Sequence, residues 1–70
     1  MTSAAEALIL LFAARARSVA DLAEQALAAR RETEAVGCVT STEPALAEMA
    51  ALVVALRCVA REEQGEQSHR

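Results

Sequence analysis

Apolar residues recur along this chain with helical spacing in two long stretches, separated by a turn signal. In the first, Leu8, Phe12, Arg15, Val19, Leu22, Ala26, Ala29, Thr33 and Val36 alternate steps of four and three, the spacing of a coiled-coil seam. A neighbouring row of Ile9, Ala13, Ala16, Ala20, Ala23 and Leu27 repeats the alternation and widens the apolar stripe. The opposite side carries Arg17, Asp21, Glu24 and Glu32, with Arg17 and Asp21 at ion-pair spacing. Ser3 and Glu6 have the separation of a capping box, and the next glycine or proline is Gly37, suited to the left-handed position past a helix end. The pattern predicts helix 1 over about residues 4–36, a rod of roughly 50 Å.

The second stretch, Pro44 to Ala60, is apolar on nearly every side. Its two charges, Glu48 and Arg57, fall on opposite sides of a helix at about 100° per residue, so no continuous polar face remains. Ala45, Met49, Leu52, Leu56 and Val59 form one heptad row, flanked by rows through Leu46 and Val53 and through Val54 and Cys58. Thr42 is placed as N-cap, and Pro44 stands in the first turn, where a missing N–H costs nothing. Helix 2 is expected over about residues 43–64, stopped by Gly65, with residues 66–70 as a frayed polar tail. Such a helix must be enclosed by others.

Seventy residues make one domain, and a chain of that size buries only about 60% of its unfolded surface, so small folds usually need a staple, a metal or a partner. Hydrophobic residues make up 54% of the chain, yet Phe12 is the only aromatic; the apolar volume is Ala, Leu and Val, which suits closely spaced helices. Folded back antiparallel about a turn at Gly37–Ser41, residue 64 falls opposite about residue 15, and residues 4–14 overhang. That overhang holds Leu8, Ile9, Leu10, Leu11 and Phe12, each worth about 1.5–3 kcal/mol if buried. The expected fold is therefore all-α, an antiparallel helical hairpin that dimerises into a four-helix bundle.

Charge and cysteine content narrow the partners. A net charge of −3, with seven arginines interspersed among ten acids, argues against nucleic acid. Arg15, Arg17, Arg30 and Arg31 nevertheless define the alternative of an RNA-binding regulatory dimer, which resembles the small plasmid regulator ROP in architecture alone. Arg15 and Arg17 follow the apolar run instead of preceding it, the reverse of a secretory signal, and Glu48 and Arg57 interrupt the second run below spanning length. A peripheral membrane hairpin with Leu8 to Phe12 as a wedge is a further alternative. Cys38, expected exposed in the turn, and Cys58, expected as a small core residue, are too far apart to bridge within one hairpin. Two free thiols suit the cytoplasm.

Candidate chemistry is sparse. Arg15 interrupts the seam and, in the expected register, lies near Glu62 and Glu63 as an ion pair at the bundle end. Glu48 either faces solvent or meets an arginine, because the Glu-x-x-His partner of a bundle metal site is missing from the sequence. His69 stands alone, and no nucleophile–base pair or phosphate-binding loop is present, so the reading is of a non-enzymatic protein without metal or cofactor. The expected function is protein–protein interaction by a small homo-oligomeric adaptor or chaperone-like module, binding itself and an amphipathic helix of another protein. Leu8, Leu11, Phe12, Arg15, Val19, Met49, Leu52 and Leu56 are the expected interface.

Overall fold

The computed structural model describes residues 3–68, with side chains for residues 3–63, and has three helices: α1 (Ala4–Ala28), α2 (Glu32–Thr40) and α3 (Glu43–Ser68). Ser3 caps α1 as expected, its hydroxyl accepting from the Glu6 N–H at 3.1 Å. Two departures from the expected boundaries reorganise everything else. Helix 1 does not continue to residue 36; it ends at Ala28, and the chain reverses through Ala29, Arg30 and Arg31. Gly37 is not a cap but an interior residue of α2.

The reversal needs no glycine. Ala29 (ψ 141°) and Arg31 (φ −119°, ψ 141°) are extended, and no described residue has a positive φ. Electrostatics favour the site: two arginines follow the negative end of α1, and Glu32 and Glu34 occupy the first turn of α2, at its positive end. At the expected turn, Ser41 stays in the right-handed helical region (φ −67°, ψ −11°). The Ser41 N–H donates to Gly37 O at 3.0 Å and the Leu46 N–H to Thr42 O at 2.9 Å, so helical bonding runs past both residues. The junction is a kink within one rod. Pro44 has no N–H for the preceding turn, and the Thr40, Ser41 and Thr42 hydroxyls donate back to the carbonyls of Gly37 and Val39. Thr42 thus marks the start of α3 as expected, but its hydroxyl serves the turn behind it.

The result is an antiparallel helical hairpin in which α1 lies against a longer second rod made of α2 and α3. It measures 60 × 21 × 13 Å, and its radius of gyration is 16.9 Å, where a compact chain of this length would have about 11 Å. The register corrects the expected overhang. Counting outward from the Arg15–Glu48 contact, Val59 and Ala60 fall level with the start of α1, and the segment beyond it begins Arg61-Glu62-Glu63. Charge overhangs, and the apolar run Leu8–Phe12 lies alongside α3. The helix also passes through Gly65 to Ser68, beyond the expected stop; the rest of the expected frayed tail lies outside the described residues.

The seam between the rods follows the heptads. On α1 the shielded positions include Ala5, Leu8, Phe12, Arg15, Val19, Leu22 and Ala26; on the second rod they include Ala35, Cys38, Thr42, Ala45, Met49, Leu52, Leu56 and Val59. Small side chains meet near the turn and large ones at the open end. Closure is incomplete: among the described residues only Leu52 (9% exposed) and Thr42 (6%) are buried. Thr42 tolerates burial because its hydroxyl donates to Val39 O at 2.6 Å.

Candidate interaction face

The surface facing solvent is unusually large and apolar. It amounts to 5679 Å², whereas a folded monomer of 7.4 kDa exposes about 4,200 Å². Part of the surplus comes with the rod shape, and part is unburied oil. Ile9, Leu27, Val36, Val39, Leu46 and Val53 are all exposed, Leu27 at 88%.

These six share one side of the hairpin. In an antiparallel helix pair, the residues that immediately follow the second seam position of each heptad flank the same side on both helices. Those residues are Ile9, Ala16 and Ala23 on α1, and Val39, Leu46, Val53 and Ala60 on the second rod. One further turn round each helix, Glu6, Ala13, Ala20 and Leu27 join from α1, and Val36, Glu43, Ala50 and Arg57 from the second rod. The other flank, formed by residues that precede the first seam position, carries Ser18, Gln25, Glu34, Ser41, Glu48 and Glu62. Leu11 interrupts it. Six of the nine exposed large hydrophobics among the described residues therefore share one flank, which also carries Glu6, Glu43 and Arg57, while Leu10, Leu11 and Val54 are exposed elsewhere. Alanines fill the middle of its α1 row, between Ile9 and Leu27.

Of the residues expected at an interface, Leu8, Phe12, Arg15, Val19, Met49, Leu52 and Leu56 face the seam of their own hairpin. Leu11 alone is exposed. In the second row on α1, which widens the stripe, Ile9, Ala20, Ala23 and Leu27 are left exposed, with Ala13 and Ala16 half-buried. Its signal was the pairing of that row with Leu46 and Val53 on one flank, which only the register reveals.

Arg15 pairs with Glu48, its Nε 2.7 Å from Glu48 Oε2, and not with Glu62 or Glu63. The Nε–H is shielded from solvent yet not aimed at the carboxylate, so the contact is an ion pair more than a hydrogen bond. It is the one ion pair among the described residues; Arg17 and Asp21 do not close to that distance. The cysteines exchange roles: Cys38 is half-buried in the seam, because its segment is helix and not turn, and Cys58 is exposed. Arg30, Arg31, Glu34 and Cys38 border an open cleft of about 490 Å³ at the hairpin turn, where Glu34 offsets the arginine charge. Among the described residues, no cluster of His, Cys, Asp or Glu could hold a metal, and no helix is long and apolar enough to cross a membrane. Compared with protein-family models, curated proteins and solved structures, the chain matches none.

Proposed function

We propose that this chain is a non-enzymatic helical interaction module that works as a homo-oligomer, two hairpins meeting through their apolar flanks to form a four-helix bundle. The observation that carries the reading is the gathering of Ile9, Leu27, Val36, Val39, Leu46 and Val53, six of the nine exposed large hydrophobics among the described residues, onto one flank. An apolar surface of that kind marks a protein contact. A hairpin with so little closed core gains most from covering it, since each large side chain removed from water contributes about 1.5–3 kcal/mol.

A second copy is the partner that the flank suits best. A second copy covers the exposed side chains of both chains at once, and a standard protein pair gives up roughly 800 Å² from each member. An adaptor or chaperone-like use, in which the amphipathic helix of a client packs on the hairpin, would draw on the same flank in competition with the second copy. Sedimentation equilibrium across a concentration series tests the reading. The expected mass is twice 7.4 kDa, returning to 7.4 kDa when Val39 and Val53 are both changed to Asp. A wild-type monomer at every concentration removes it.

A further inference from the structure

Resting on that self-association, we infer that the two hairpins pair antiparallel, about a two-fold axis that crosses the apolar flank at Leu46, so that each α1 lies along the α1 of the other copy. The ground is a symmetry in the flank itself. Read along α1, its residues are Glu6, Ile9, Ala13, Ala16, Ala20, Ala23 and Leu27, followed by Arg30 in the turn. Reversed about Ser18, this row becomes its own complement. Ala16 meets the partner's Ala20, Ala13 meets the partner's Ala23, Ile9 meets the partner's Leu27, and Glu6 comes to the end where the partner's turn holds Arg30.

The second rod has a centre of its own. Val39 and Val53 lie seven residues to either side of Leu46, so reversal about Leu46 sets Val39 against the partner's Val53 and Leu46 against the partner's Leu46. The two centres were free to fall at different heights. Counting along the two seam rows from the Arg15–Glu48 contact, with Arg15 paired to Met49 and Val19 to Ala45 in successive layers, brings Ser18 and Leu46 to the same height. A single axis therefore satisfies both rows, as a two-fold interface requires. Glu43 and Arg57, the charged members of the second row, fall within one residue of the level of the partner's Ala50 and Val36 at the outer edge, where a long side chain keeps its charged head in water.

The alternative two-fold axis runs along the hairpin and lays α1 against the α3 of the other copy. It sets Ile9 near the partner's Val53 and Leu46 over the partner's Ala16 and Ala20, and it leaves Glu6 and Arg30 at opposite ends. The antiparallel arrangement instead makes alanine rows face each other, allowing close approach of the two α1 helices, and pairs opposite charges at both ends.

Disulfide trapping separates the possibilities. On a Cys38→Ala, Cys58→Ala background, Leu46→Cys should oxidise to a covalent dimer, and a mixture of Ile9→Cys with Leu27→Cys should cross-link while Ile9→Cys alone does not. Leu46 and Leu27 are exposed within the hairpin, so these changes leave its seam intact. A charge exchange gives a second, non-covalent readout: Glu6→Arg and Arg30→Glu should each weaken the dimer roughly two- to five-fold, and the double variant should restore it. A dimer in sedimentation that cross-links through Leu46→Cys mixed with Ala16→Cys, and not through Leu46→Cys alone, overturns the antiparallel axis but leaves self-association standing. A monomer at all concentrations removes both.

Discussion

Arg15 Nε and Glu48 Oε2 lie 2.7 Å apart across the hairpin, joining a seam position of α1 to the polar flank of α3. The pair records the register. Had the chain turned at Gly37, Arg15 would stand near Glu62 and Glu63. With the turn at Ala29–Arg31 it meets Glu48, the single acid in the apolar part of α3, and the apolar rows of both rods come alongside each other. Both side chains keep substantial exposure, 40% for Arg15 and 47% for Glu48, so the pair identifies the register more than it stabilises the fold.

That relationship predicts a selective coupling. A double-mutant cycle between Arg15→Ala and Glu48→Ala should give about 0.2–1 kcal/mol, and cycles of Arg15→Ala with Glu62→Ala or Glu63→Ala should give none, measured by urea unfolding. Coupling to Glu62 or Glu63 in place of Glu48 would show the hairpin to be closed in the other register.

Gly37 offers a test with opposite signs. It lies inside α2 with a right-handed backbone, and a Cβ added there meets nothing within 4 Å. Gly37→Ala should therefore stabilise by about 0.5–1 kcal/mol, raising the melting temperature by a few degrees. A left-handed cap at this position would make the same change destabilising.

Leu52 is the one buried large apolar side chain among the described residues. Leu52→Ala should cost about 2 kcal/mol, at the low end for a core leucine because its neighbours in the seam are only half-covered. Val54→Ala, two residues away and 58% exposed, should cost under about 0.5 kcal/mol by the same denaturant titration. Equal losses at the two sites would mean that the seam is misassigned.

Ser3 makes a smaller prediction at the N-terminus of α1. Its hydroxyl accepts from the Glu6 N–H, so Ser3→Ala should lower stability by about 1 kcal/mol while Ser3→Asp retains it, read from thermal melts followed by circular dichroism.

Much of the fold could be read from the residues. The row Leu8, Phe12, Arg15, Val19, Leu22 and Ala26 and the row Ala45, Met49, Leu52, Leu56 and Val59 are both seam rows in the structure. What could not be read was how they are joined. Helix propensity is continuous through Ala28–Glu32, and Gly37 and Pro44 draw attention to the wrong place; the reversal at Ala29–Arg31 uses ordinary extended residues, which leave no compositional mark. Tertiary packing decides the matter. Turning early matches the apolar length of the second rod, which ends at Ala60, to that of α1 and leaves Arg61, Glu62 and Glu63 in water. The uncovered face followed the same error: once Leu8–Phe12 is assigned to an overhang, the row from Ile9 to Leu27 and the residues Leu46 and Val53 are not seen as one flank.

A hairpin whose apolar flank is covered by a second copy should melt at a temperature that depends on its own concentration. Across a hundred-fold range, from about 1 to 100 μM, circular dichroism at 222 nm should show the midpoint rising by about 5–10 °C, and Val39→Asp with Val53→Asp should abolish the dependence. A cooperative melt whose midpoint stays fixed over that range, in the unmodified chain, would contradict self-association through this face.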